Sequence, residues 1–252
     1  MIATIAVDLG NSAAKWSVDD QPAQRVSLRS ADWVEHLIRE ARSLTGTRDS
    51  RWRIASVNRP ITKLLVGRLR DEALDSDVRT IHCDDVPLVA KVANPDRVGI
   101  DRLLAAWMAS RLFAGKPSIV VDAGSAITVD VVNRQAEFLG GVIMPGIALQ
   151  FDSLARGTDA LPVIEWLTAS EITSDSLPIA ATDTVTAIRS GILLGAAAAI
   201  DGLIQHHITR AGEPGPAVVV LTGGDSSLLS RLMVQPHQLM PRLVLDAIGS
   251  LP

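Results

Sequence analysis

One short pattern occurs twice in this chain, and the second copy restricts the fold more than any other feature. Ile5-Ala6-Val7-Asp8-Leu9-Gly10-Asn11-Ser12 and Ile119-Val120-Val121-Asp122-Ala123-Gly124-Ser125 both run from apolar, largely β-branched residues into Asp-x-Gly and a hydroxyl. Asp8 and Asp122 stand close to half a chain length apart in 252 residues. A strand, a glycine turn and a second strand repeated at that distance read as two similar half-domains, each offering one turn to a phosphate.

The physical chemistry of such a turn supports that reading. Exposed backbone N–H groups and a hydroxyl at a strand end can hold a polyanion. Gly10 and Gly124 let the backbone approach it closely. An aspartate at the strand end suits Mg²⁺, which prefers few carboxylates and keeps its waters. Lys15, on the following strand, supplies a point charge for a phosphate. A lone Asp-x-Gly is ordinarily a plain hairpin turn; two matched copies are the argument. There is no G-x-x-x-x-G-K-[ST], so no P-loop holds a nucleotide here.

Strand and helix periods alternate along the chain, which places it in the α/β class. Strands are expected at 2–8, 13–18, 24–28, 53–57 and 78–82. Ser30 is expected to cap a helix over 31–44, and Pro60 to open one whose buried stripe is Ile61, Leu64, Leu65, Leu69 and Ala73. A loop at 83–98 leads to a helix over 101–113. The second half gives strands at 118–122, 127–132, 137–144 and 217–221. Helices are expected at 147–155 and 184–210, with a short one after Asp225. Residues 1–112 and 113–252 are the expected halves.

Two further motifs admit two readings each. In Gly99-Ile100-Asp101-Arg102, Asp101 is either an ordinary acidic residue at a helix start or a group that accepts or orients a hydroxyl proton, with Arg102 on an anion. Thr222-Gly223-Gly224-Asp225 is either a strand-to-helix turn or a flat platform on which adenine lies. Gly191 and Gly195, four apart in the long helix, are expected to permit close helix packing, with a dimer contact as the alternative. His206 and His207 are adjacent, point to different faces and form no metal pair.

Composition removes other classes. Net charge is −4 with acids and bases interspersed, which gives no basic footprint for nucleic acid. No uninterrupted apolar run approaches the roughly 18 residues of a membrane span. The single cysteine, Cys83, excludes an intrachain disulfide and fits a reducing, cytoplasmic setting.

Taken in order, VDLGNSAAK from Val7, NPDRVGIDR from Asn94, VVDAGSAITVD from Val120, GGVIMPGIALQFDSLARGTDALP from Gly140, DTVTAIRSGILLG from Asp183 and VVVLTGGD from Val218 resemble the type III pantothenate kinases. The resemblance implies two ribonuclease H-like, actin-like ATPase half-domains with mixed sheets flanked by helices. It implies ATP-dependent phosphorylation of pantothenate to 4'-phosphopantothenate, which opens coenzyme A synthesis. Asp8, Gly10, Asn11, Ser12 and Lys15 match the first phosphate motif, with Asp8 near Mg²⁺ through water. Asp122 matches a ligand of K⁺ or NH₄⁺, Gly124 and Ser125 the second phosphate motif, and Gly223 and Gly224 the adenosine motif. Gly99, Ile100, Asp101 and Arg102 match the pantothenate motif, with Asp101 as catalytic acceptor. Thr184 matches a threonine that reaches pantothenate from a neighbouring subunit, implying a homodimer. Ser12 and Ser125 stand where the family usually has Thr, and Val92 where it has a pantothenate-contacting Tyr. That last departure keeps open another hydroxyl kinase of the superfamily; a non-catalytic nucleotide-binding regulator is the rival from a different class.

Overall fold

The computed structural model describes residues 2–46, 49–71, 77–164, 172, 176–210 and 216–251. In it the sequence repeat becomes a repeated topology. In the first sheet β1 (Ala3–Leu9) pairs antiparallel with β2 (Ala13–Val18) and parallel with β4 (Ser50–Ser56). With β3 (Gln24–Ser27) and β5 (Asp77–Thr80) at the edges, the order is β3-β2-β1-β4-β5. The second sheet contains β6 (Val89–Ala90), β7 (Ser118–Ala123), β8 (Ala126–Val132), β9 (Glu137–Pro145), β10 (Val218–Thr222) and β11 (Gln238–Leu239). Its order, β6-β9-β8-β7-β10-β11, contains the first sheet's order and strand directions with β6 added at one edge.

Period-2 alternation decides which face of each sheet is dry. Ile5, Val7 and Leu9 of β1, Ala14, Trp16 and Val18 of β2, and Trp52 and Ile54 of β4 form one core. They pack with Trp33, Val34, Leu37, Ile38 and Ala41 of α1 (Trp33–Thr45) and Leu65 and Leu69 of α2 (Arg59–Asp71). Complete burial of a side chain such as Leu37 stabilises the fold by about 1.5–3 kcal/mol. Helix α1 begins two residues later than expected. Asp32 precedes it, and the Ser30 hydroxyl bonds to the Asp32 carboxylate rather than to the helix. Leu64 points outward at 50% exposure, because α2 turns only Leu65 and Leu69 fully inward. Ala73, the last residue of the expected stripe, lies outside the described residues.

The segment expected to be a loop at 83–98 contains two single 3-10 turns, Cys83–Asp85 and Pro95–Arg97, and leads into α3 (Ile100–Leu112). In the second sheet, α4 (Ile147–Gly157) and α5 (Thr184–Arg210) cover the face carrying Ile119, Val121, Ile127, Val129, Val219 and Leu221. By length and hydropathy α5 could cross a membrane. Its Ile188, Ile192, Leu193, Ala196, Ala197, Ile200 and Ile204 are instead buried in this core.

Short α6 (Ser226–Leu229) follows β10 as expected, but the sequence reading assigns nothing to β11 or to α7 (Leu243–Ser250). The chain forms two compact units. One comprises Met1–Val89, Ala93–Met108 and Arg242–Pro252; the other comprises Ala90–Val92 and Ala109–Pro241. Helix α7 therefore belongs with the N-terminal strands, packed on β1, and not with the sequence half that contains it.

Candidate active site

In the first unit, β1 ends at Asp8-Leu9 and the chain reverses through Gly10-Asn11-Ser12. The Gly10 amide donates to the Ala13 carbonyl at 3.1 Å, which closes the turn and leaves Asn11 and Ser12 exposed. Strand register sets Lys15 directly across from Asp8. Asp8 retains a little surface as a residue, but its carboxyl is enclosed. Burial pushes its pKa from 3.8 up to about 6, Lys15 pulls it down, and the charge of Asp101 pushes it up again. Asp8, Lys15 and Asp101 thus share one electrostatic neighbourhood, although Asp101 stands far from the other two in sequence. Two carboxylates facing one lysine leave negative charge uncompensated, which fits a divalent cation held through water. Among the described residues, no group of three or more His, Cys, Asp or Glu could hold a metal by itself.

Asp101 lies in the first turn of α3, and its Oδ1 accepts the amide N–H of Arg102 at 2.9 Å. The Gly99 carbonyl accepts the Leu103 amide at 3.2 Å, so Gly99 starts the helix. A Cβ on Gly99 would stand 2.4 Å from Asp101 Oδ1, so the missing side chain is what gives the carboxylate its place. Ile100 is 6% exposed and anchors the turn in the interior; toward a ligand it can offer backbone only. Arg102 is half-buried beside Asp101.

One contributor here escapes sequence reasoning. The Cys83 thiol donates to the Val98 carbonyl at 3.6 Å, just before Gly99, and burial and neighbouring acids keep its pKa raised. It stays a thiol and ties the loop ahead of Asp101. Its only signal in the sequence is its position at the start of that loop.

The second unit repeats the turn at Asp122–Ser125, with the Gly124 amide donating to the Ala126 carbonyl at 3.0 Å. Thr222 lies beside Asp122 in the parallel register of β10 and β7, so Gly223 follows at the same level. Gly223 has φ +98°, and a Cβ there would stand 2.3 Å from the Ala123 carbonyl oxygen and 2.4 Å from Asp122 Oδ1. The Asp225 amide donates to Ala123 at 2.9 Å, which fastens the Gly223-Gly224 platform to the Asp122 turn. Gly224 and Ser125 are exposed.

Gly146 belongs to the same cluster. Its amide donates to the Ser125 carbonyl at 3.1 Å, and a Cβ would stand 2.1 Å from the Gly124 carbonyl oxygen. The sequence reading treats Pro145-Gly146 only as a break before a helix. Thr184 opens α5 and is exposed; the Asp183 carboxylate before it accepts the Thr186 amide at 2.9 Å. Val92 packs in the second unit, its Cγ1 3.3 Å from where a Cβ on Gly140 would be. A cavity of about 330 Å³, lined in part by Leu139, Val142, His207 and Ile208, lies at the opposite end of β7 and does not include the Asp122 turn.

The structure thus brings Asp8, Lys15 and Gly99–Arg102 together in one unit, and Asp122–Ser125 with Gly223-Gly224 in the other. Known proteins resemble this chain both in sequence and in fold. Residues 4–206 match the family described as type III pantothenate kinase. The type III pantothenate kinase of Rhodopirellula baltica is 36% identical, with 89% of each chain covered. That of Paracidovorax citrulli is 28% identical over 97% of this chain and 95% of its own. Among solved structures, a protein assigned to the Baf family of transcriptional activators in Campylobacter jejuni has a TM-score of 0.59 at 19% identity, covering 98% of this chain and 95% of its own. MreB 5 of Spiroplasma citri, bound to AMPPNP, has a TM-score of 0.53 at 10% identity, covering 98% and 95%. The structural matches place the fold among actin-like ATPases, and the sequence matches place the chain in the type III pantothenate kinase family.

Proposed function

We propose a division of labour for the reaction of this kinase, which phosphorylates pantothenate on the path to coenzyme A. The Gly10-Asn11-Ser12 and Gly124-Ser125 turns hold the ATP phosphates through backbone N–H groups and hydroxyls, with Lys15 adding its charge. Asp8 holds Mg²⁺ through water, and the ion neutralises phosphate charge. Asp122 faces a monovalent cation, K⁺ or NH₄⁺, and Gly223-Gly224 takes the adenosine. Gly99–Arg102 binds pantothenate, with Arg102 on its carboxylate.

Asp101 aligns the primary hydroxyl and takes its proton as the oxygen bonds to the γ-phosphorus and ADP leaves. Catalysis of this kind rests on positioning and charge stabilisation. The observation that carries the reading is the convergence of Asp8, Lys15 and Asp101, with the Asp8 carboxyl raised to about 6.

The enzyme is proposed to work as a cytoplasmic homodimer to which Thr184 contributes across the subunit boundary. Gly191, Gly195 and Gly202 support this. They lie on the exposed side of α5, and a Cβ on any of them would meet nothing within 4 Å among the described residues. Among the described residues Gly191 and Gly195 have no close packing partner inside the chain; their smallness suits a second helix.

The test is ADP release from ATP with and without pantothenate, in potassium and in sodium. Pantothenate-dependent release that needs potassium supports the scheme. Asp101→Ala should fold normally and lose at least roughly 10²-fold in turnover; near-full activity would remove Asp101 from its role. Ligand-dependent stabilisation without ADP release would indicate a regulator instead.

A further inference from the structure

A second polar cavity, of about 300 Å³, lies in the first unit between the sheet and α7. Thr4 and Ala6 of β1, Ser17 of β2, Asp19 and Asp20 after it, and Arg242, Leu245, Asp246 and Gly249 line it. Asp8 and Lys15 do not.

Ser17 marks it as more than a gap. Trp16 and Val18 enter the α1 core, so strand alternation turns Ser17 to the opposite face, toward α7. Ser17 is 1% exposed, and its hydroxyl has no hydrogen-bond partner among the described residues. Buried hydroxyls are ordinarily paired, and this one opens only to the cavity.

The groups around it are fixed and of one dominant sign. Asp19 is held at φ 48°, its carboxylate accepts the Thr4 amide at 2.8 Å, and its carbonyl accepts Arg242 Nη2 at 3.0 Å. Arg242 also bonds Asp246 Oδ1 at 2.9 Å, so the single cation of the lining is already engaged. The Thr4 hydroxyl accepts Arg51 Nε at 2.8 Å. Asp20 has no partner among the described residues. Three carboxylates against Arg242, even with Arg51 on the Thr4 hydroxyl, leave the surroundings net negative. No group of described side chains there could hold a bare metal ion. The apolar surface of Ala6, Leu245 and Gly249 lies between the charges.

We propose that this cavity binds a small aliphatic polyammonium cation. One ammonium donates to the Ser17 hydroxyl, another pairs with Asp20, and the methylenes lie along Ala6 and Leu245. The proposal is independent of the kinase assignment, because it uses none of the phosphate or pantothenate residues.

Spermidine is the probe, titrated into the nucleotide-free full chain at constant ionic strength. Calorimetry and backbone amide shifts provide the readouts, with NaCl and MgCl₂ as matched controls. One saturable site is expected, with shifts centred on Thr4, Ser17 and Gly249. Ser17→Ala and Asp20→Asn should each weaken binding about five- to tenfold, the scale of one ordinary hydrogen bond. Both variants should keep the wild-type melting temperature and turnover. Absence of saturation, equal shifts from the matched salts, or unchanged affinity in both variants would overturn the proposal.

Discussion

The Asp101 carboxylate occupies the space that a side chain on Gly99 would fill, with its Oδ1 2.4 Å from the Cβ position. The two residues form one device: a glycine at a helix start that leaves room for an acid. Gly99→Ala should therefore displace the carboxylate while leaving the fold intact. Misplacement of a reacting group by about 1 Å costs on the order of 10²-fold. Turnover should fall on that scale, with melting nearly unchanged; a variant with normal turnover would show that the contact is incidental.

Gly223→Ala should be damaging in a different way. Its positive φ and the Ala123 carbonyl at 2.3 Å from the Cβ position both resist a methyl group, and that neighbour is backbone. A loss of about 1–3 kcal/mol in denaturant unfolding is expected, together with a raised KM for ATP. Stability equal to wild type would mean that the turn relaxes freely.

Asp8 should cost stability by holding its charge in the interior. Its pKa is about 6 in the folded chain against 3.8 unfolded, so above pH 6 folding confines a carboxylate that prefers water. As pH falls from about 6 to 3.8 the native state takes up the proton first, and the penalty disappears. Asp8→Asn should be the more stable protein at pH 8, by up to about 3 kcal/mol. That advantage should fade by pH 4, and the variant should be inactive at every pH. Equal stability of the two proteins at pH 8 would contradict the buried-charge account.

Val92→Tyr should lower the KM for pantothenate severalfold with little change in kcat, since the family's tyrosine is expected at this position. Steady-state kinetics with varied pantothenate decide it. An unchanged KM would mean that residue 92 does not reach the substrate.

What the sequence reveals and what it hides divide along a physical line. The glycine turns at Asp8 and Asp122 are legible because strand alternation, a strand-end acid and a turn glycine are all local. The long helix α5 is legible for the same reason, through its length and apolar content. The pairing of Gly223 with Asp122, and of Gly146 with Ser125, is tertiary: each glycine yields to an atom far away in the chain. The outward turn of Leu64 and the bond of Ser30 to Asp32 are small rotations that periodicity does not resolve. Helix α7 goes unread because the stretch before it holds only the two-residue strand β11, and the helix itself is eight residues long.

The position of α7 also has a consequence for synthesis. Gly249 lies close to Ala6, with its Cβ position 3.9 Å from the Ala6 methyl, so α7 completes the face of β1. Domains generally fold N-terminal first as the chain emerges, at about 5–20 residues per second. Here the first unit begins before the second is made and draws on α7, which follows the second in the chain. Until α7 leaves the ribosome, one side of β1 remains bare, so the first unit can close its core only after residues 109–241 of the second have been made.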